Sequence, residues 1–281
     1  MSNSVRPRPN VSDTSRGASN EIWGRFPIDD IQDGVIDGYY RHYEFNEFRL
    51  SADVNAAEAY WADGYNVFGS AGASIARYDD VGGGITVGSD GDNEGLWIRD
   101  AAPKYQIGRS NGAFALEASI QTSTITDAKH NLFCGLMDSS AVSATVPITA
   151  AGALADVNLV GFWRSEAASN GAILQTAYKA DGVAAVTVQA SAFALTAATW
   201  TKIGFMFEPF GDLAGSYALS FYVNGVRMTS SKLIPSASGT DFPNDVRLGF
   251  VFGVLNATAT TPGTSSIRWV RTCQFSNQSR S

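Results

Sequence analysis

Two cysteines and two histidines are all that 281 residues hold of the side chains most used for metal binding, cross-linking and general-base catalysis. That count excludes a disulfide-rich scaffold. Cys134 and Cys273 are expected as two free, partly buried thiols, since an unpaired cysteine behaves as a small hydrophobe. His42 lies among tyrosines and reads as a packing or hydrogen-bonding residue, and His130, between Lys129 and Asn131, reads as a loop residue. Neither sits in a motif where a carboxylate would hold it for a Ser-His-Asp system. No Cys/His spacing of the zinc type occurs either. Positive charge is also short: the net charge of −7 argues against nucleic acid as the partner. Long apolar runs are missing. The most apolar regions, 142–163 and 183–200, are broken by Pro147, Asp156 and Gln189 and are rich in Ala and Thr, so neither reads as a membrane span. Residues 1–20 are polar and hold no apolar stretch of signal-peptide length. The expectation is a protein made in the cytoplasm, without membrane anchor or cofactor.

What the chain does have is sheet-forming material. Its 28 Gly, 16 Phe, 10 Tyr and 6 Trp suit short strands joined by turns, and a hydrophobic share of 44% is ample for a core. Residues 1–30 read as an extended arm, because Pro7, Pro9 and Pro27 disfavour helix and the intervening residues are polar. Arg6, Arg8 and Arg16 gather positive charge there on an otherwise acidic protein. Residues 31–84 read as an aromatic-rich lead-in packing on the body, with Tyr39, Tyr40, His42, Tyr43, Phe45 and Phe48; a short helix is expected within 54–65, around Ala56–Ala59. From residue 85 strand signals recur. Phe114, Leu116, Ala118 and Ile120 alternate with Glu117 and Ser119, which predicts a strand with one wet face. Ile203, Phe205 and Phe207 alternate with Lys202 and Met206, and Tyr217, Leu219, Phe221 and Val223 share a face ending at Asn224-Gly225, a pair suited to a two-residue hairpin. Leu248, Phe250 and Phe252, then Ile267, Trp269 and Arg271, supply two more strands. The fold class is all-β: a jelly-roll sandwich over 85–275, with the arm before it and a polar tail at 276–281.

The run Trp200-Thr201-Lys202-Ile203-Gly204-Phe205-Met206-Phe207, followed by Tyr217 to Gly225, resembles the concanavalin A-like (laminin G-like) lectin/glucanase sandwich. There a Trp opens a strand and the next hairpin carries a similar Phe-Tyr-Val-Asn-Gly ending. Residues 266–274 look like the closing strand, and Phe114–Ile120 and Leu159–Trp163 join the match in order, covering roughly 85–275. Sandwiches of this pattern are common among structural proteins of tailed phages, so the resemblance implies a virion setting.

Glycosidases on this sandwich carry two catalytic Glu with an Asp between them at alternate strand positions, which projects both carboxylates from one face. Here Glu44 and Glu47 are three apart, and Glu117 has Ser119 and Gln121 as its same-face neighbours. No catalytic residue is therefore assigned and the protein is expected not to be an enzyme. Asp90-Gly91-Asp92-Asn93-Glu94-Gly95 has the alternating oxygens of a calcium loop, but Ala101 stands where the bidentate Glu of an EF-hand would be, so a polar turn is the preferred reading and no metal is assigned. Gly82-Gly83-Gly84 lacks a following Lys or helix and reads as a hinge or bulge. Trp61, Trp97 and Trp163 are the residues that would stack on sugars if exposed, though a core or interfacial place is preferred for each. The leading expectation is a capsid decoration (cement) protein on the virion surface. Its arm, through Arg6, Arg8 and Arg16, binds the major capsid protein or other virion proteins, with self-association also open. The alternative is a lectin-like tail-fibre or adhesin module binding host glycans.

Overall fold

The computed structural model describes residues 19–23, 35–36, 39–48, 54–55, 60–61, 65–69, 72–78, 83–89, 91–108, 112–126, 130–138, 146–149, 151–165, 171–209, 217–234, 241–256 and 263–276. One helical turn, α1 (Asn20–Trp23), precedes the strands. Next come β1 (Val35–Ile36), β2 (Tyr39–Glu47), β3 (Val54–Asn55), β4 (Tyr60–Trp61), β5 (Tyr65–Gly69) and β6 (Ser74–Arg77). The middle of the chain supplies β7 (Ile85–Gly88), β8 (Glu94–Asp100), β9 (Tyr105–Ile107), β10 (Phe114–Thr122), β11 (Asn131–Met137), β12 (Leu159–Arg164) and β13 (Ile173–Lys179). The last are β14 (Val186–Ala194), β15 (Thr201–Pro209), β16 (Tyr217–Val223), β17 (Val226–Ile234), β18 (Val246–Asn256) and β19 (Ser265–Ser276).

Among the described residues these strands form two antiparallel sheets. One runs β17-β16-β15-β10-β19-β7-β6-β3, with β2 also on β19; the other runs β14-β13-β12-β11-β18-β8-β5-β4, with β9 on β18. The all-β sandwich expected from the alternation is thus the architecture observed. Leu116, Phe205 and Phe221 from the first sheet face Phe162, Phe250 and Phe252 from the second in one buried core. Phe162 meets Phe221 edge-on at 5.3 Å between ring centroids, a favoured aromatic geometry. The Asn224-Gly225 pair closes the β16–β17 hairpin with φ of 51° and 79°, values that suit these residue types at a primed turn.

The segment expected as a lead-in instead supplies strands to both sheets. β2 lies along β19 from Tyr40 to Glu47, β6 pairs β7, and β5 pairs β8. In β5, Tyr65 and Val67 reach the core, so period two is present, but over too few residues to stand out. The expected helix within 54–65 is bracketed by β3 and β4, and Ala56–Ala59 lie outside the described residues. β19 changes neighbours midway: Trp269–Ser276 pair β2, whereas Ser265–Ile267 pair β7. Arg268 sits at that junction as the extra residue of a bulge, because Ser119 is opposite Trp269 and Ile120 opposite Ile267. Gly84, at φ +123°, makes room there; a Cβ would stand 2.8 Å from the Ile267 carbonyl oxygen. Gly84 therefore allows close approach of two strands, and Gly82 lies outside the described residues.

Phe205 is buried between Phe114 and Phe221, at centroid distances of 5.7 and 5.8 Å. Phe205→Ala is expected to lower the unfolding free energy by about 3–5 kcal/mol, read from the denaturant midpoint. Val226→Ala, at a site 64% exposed, should change it by no more than about 0.5 kcal/mol.

Candidate functional site

The outer face of β10 was expected to be wet, and it is not. Glu117 is 1% exposed and Ser119 fully buried. Over Glu117 the cover is the segment Ser19–Trp23, which sits on this face although it belongs to the region read as an extended arm. Its turn is closed by the Ser19 carbonyl, which accepts from the amides of Ile22 and Trp23 at 3.2 and 2.9 Å. Ile22 and Trp23 pack with Ala115, Met206, Tyr222 and Cys273. Gly204 supplies the space: a Cβ there would lie 2.7 Å from the Ile22 Cδ1. The carboxyl group of Glu117 gathers the polar ends. It accepts from the Ser19 amide at 3.3 Å, from the Trp23 indole Nε1 at 2.7 Å, and from the Ser19 hydroxyl. Glu21, exposed, accepts from the Arg227 amide at 3.0 Å. The sequence signal for this anchor was the pair Ile22-Trp23, the apolar exception in a polar stretch.

A second buried polar cluster forms where β10, β11, β12 and β19 end. His130, expected in a loop, is fully buried just before β11. Its Nε2 lies 3.0 Å from the Ser265 Oγ and 3.1 Å from the Thr122 Oγ1. Its Nδ1 lies 3.2 Å from an Arg164 NH1, which can only donate, so Nδ1 accepts and the ring proton sits on Nε2. Burial, aided by the charge of Arg164, holds the imidazole pKa well below its usual value. This is a Ser–His contact with the wrong third member. A catalytic triad needs an acceptor on Nδ1 to support the imidazolium, and here a guanidinium opposes it. Arg164 donates also to the His130 and Thr126 carbonyls, both at 2.7 Å, and to the Gly171 carbonyl. The cluster ties loops together.

Part of the outer face of the nine-stranded sheet is buried too. Phe133, Val251, Leu159 and Met137 are buried there with Trp97, beneath Ile148 and its neighbours Val146, Leu154 and Val157. That cover is a small hairpin in the β11–β12 connection, bridged at Ile148 and Leu154 and closed by the Ala155 amide donating to the Pro147 carbonyl at 2.9 Å. Of the three candidate sugar-stacking residues, Trp97 is interior, Trp163 is partly buried against this cluster, and the Trp61 side chain lies outside the described residues.

Arg6, Arg8 and Arg16 lie outside the described residues, as does Asp90. Gly91–Asn93 form the turn into β8, with Asn93 at φ 57° and the Gly91 carbonyl accepting from the Asn256 amide group at 2.6 Å. Among the described residues no three His, Cys, Asp or Glu side chains gather as a metal site would require. Cys134 and Cys273 are both buried thiols outside any disulfide, as expected, and burial pushes the Cys134 thiol pKa up. Asp100, 1% exposed, is held by Lys104 at 2.9 Å and by the Phe250 amide at 2.7 Å.

No family model matches the chain, and no curated protein does. Solved structures do share its fold. One is a protein of unknown function from Shewanella oneidensis MR-1, 11% identical over 86% of this chain and 89% of that one, with a TM-score of 0.55. Another is an endo-β-1,4-glucuronan lyase from the fungus Trichoderma reesei, 12% identical over 84% of this chain and 95% of that one, with a TM-score of 0.51. An endo-1,3-β-glucanase from Streptomyces sioyaensis is 11% identical over 85% and 98%, with a TM-score of 0.49. At such identities the likeness is one of fold alone: the all-β, two-sheet jelly-roll sandwich expected from the sequence.

Glu117→Ala would leave the Ser19 and Trp23 donors without their acceptor, and Ile22→Ala would empty the space over Gly204. Either should weaken the anchor by about 2 kcal/mol or more. Amide exchange of residues 19–23 should then speed up roughly thirtyfold, while β15 amides keep their protection in Ile22→Ala. His130 has a folded-state pKa below its unfolded value, so the unfolded chain takes up a proton first as pH falls. Its contribution is intact above pH ~6.5 and lost below it. His130→Gln should flatten the fall of unfolding free energy below pH ~6.5, by up to about 1.4 kcal/mol per pH unit relative to the parent.

Proposed function

We propose that this protein is a non-catalytic structural component of a larger assembly, a virion protein of the capsid-decoration type. The observation that carries this reading is the anchoring of Ser19–Trp23 over Glu117. It gives residues 1–18, with Arg6, Arg8 and Arg16, a defined point of departure from a rigid body. A ligand-seeking segment attached at a packed anchor transmits what it binds to the whole sandwich, and its tether raises the local concentration of both parts. Three arginines on a protein of net charge −7 concentrate attraction for an acidic surface into that one segment.

The absence of catalysis is part of the same proposal, and the chemistry of the clusters supports it. The buried acids Glu117 and Asp100 are engaged in holding the chain together. The Ser265–His130 contact is opposed by Arg164. A glycan-binding tail-fibre or adhesin role is the rival, and one experiment separates the two.

Deleting residues 1–18, which spares the anchor, should abolish retention on purified capsids. Replacing Arg6, Arg8 and Arg16 together by Ser should weaken it roughly tenfold to a hundredfold, more at low salt than at high. Retention by the truncated protein equal to that of the full chain rejects the reading. Selective binding to a glycan array by the same truncated protein supports the rival.

A further inference from the structure

We propose that Arg99 marks a carboxylate-binding site on the outer face of the nine-stranded sheet, beside the apolar cluster under the Ile148–Leu154 hairpin. This goes beyond the capsid reading and does not depend on it.

Successive strand residues point to opposite faces, and in β8 this parts two neighbours of opposite charge. Asp100 turns inward, 1% exposed, where Lys104 and the Phe250 amide meet it. Arg99 turns outward and is half-buried, directly across from Asn66 on β5 and from Val251 on β18. Its guanidinium carbon lies 4.7 Å from the centre of the Phe68 ring, and both Phe68 and Val251 belong to the apolar cluster on this face. The Arg99 Nε and Nη1 are buried without a hydrogen-bond partner, and so is the Asn66 Oδ1. Other cations of the body are answered: Lys104 by Asp100, Lys179 by Asp156, and Arg164 by three carbonyls. Burial lowers the Arg99 pKa, whereas a carboxylate close by would raise it.

A guanidinium keeps its charge in a protein, and a buried charge left without an acceptor is costly. None of the described residues supplies that acceptor. The chemistry of the missing partner follows from the three atoms. Unpaired N–H donors on a cation call for an oxyanion, and the apolar floor made by Phe68 strengthens the attraction. One guanidinium balances one negative charge, which selects a carboxylate over a doubly charged phosphate. The Asn66 oxygen accepts from a donor carried next to that carboxylate, such as a hydroxyl. Because the Arg99 side chain is half-exposed, the acid arrives from solvent, either as a small molecule or as an acidic side chain of a partner protein.

Thermal unfolding of the full chain tests this with sodium acetate, glycolate or phosphate at about 50 mM, against sodium chloride at matched ionic strength. Acetate should raise the Tm of the parent by about 2 °C over chloride. Glycolate should raise it further, through Asn66, and phosphate less. A capped Gly-Gly-Glu-Gly-Gly peptide that matches acetate supports a protein side chain as the source of the carboxylate; one that falls short supports a small acid. Arg99→Met keeps an unbranched chain on Phe68. It should lose the acetate shift entirely and melt no lower than the parent in chloride. Asn66→Leu should remove only the advantage of glycolate. A parent without an acetate-specific shift, or a shift that survives Arg99→Met, overturns the inference and leaves Arg99 as a packing group. A phosphate effect larger than that of acetate overturns the choice of carboxylate. Should Arg99→Met fail to fold, the Arg99 Nε–Hε NMR signal of the parent decides. Displacement by acetate and not by chloride upholds the site, and an unmoved signal removes it.

Discussion

A sheet has two faces, and in this chain each outward face carries a buried apolar cluster of its own beside the core between the sheets. Met206, Tyr222 and Ala115 stand outside one sheet, and Phe133, Val251 and Leu159 outside the other. A two-layer sandwich that left those residues in water would forfeit about 25 cal/mol for each Å² it failed to bury. The architecture therefore needs a partial third and fourth layer. It obtains them from short segments: Ser19–Trp23 over the ten-stranded sheet, and the Ile148–Leu154 hairpin over the nine-stranded one. Antiparallel sheets often present one face to solvent; here part of each outer face is covered, while strands such as β14 stay largely exposed.

Covering these faces also consumes chemistry. Glu117 is a carboxyl group on the open side of a central strand, where a ligand-binding acid would stand, yet its oxygens are filled by the chain's own Ser19 and Trp23. His130 meets a serine hydroxyl but receives a guanidinium on its other nitrogen. In each case a polar group is buried with a full set of partners, which is how such groups are tolerated in an interior. A fold shared with a lyase need not share its chemistry, since function lives in the site and not in the scaffold. The proposed role in an assembly asks something different of this scaffold: rigidity, and a segment fastened at one end.

Much of the body was readable in advance. Alternation in Phe114–Ile120, Ile203–Phe207 and Tyr217–Val223 marks strands because inward residues repeat every second position, and Asn224-Gly225 marks their hairpin because both residues accept positive φ. β2 and β5 escaped that test. One is interrupted by Arg41 and the other spans few residues, so their place in the sheets depends on partners far along the chain, β19 and β8. The wet face assigned to Glu117 and Ser119 failed for a related reason: polarity in a strand pattern says which residues differ from the core, not whether another segment will cover them.

The residue order by itself determined the class of the fold, the scarcity of histidine and cysteine, and the inward faces of β10, β15 and β16, because these depend on composition and on neighbours one or two residues apart. Tertiary structure alone decided that Ser19 would meet Glu117 and that His130 would meet Arg164 and Ser265. Those contacts join residues separated by 98, 34 and 135 positions. Local pattern carries no information over such separations; only the packing of the completed sheets brings the partners within hydrogen-bond reach.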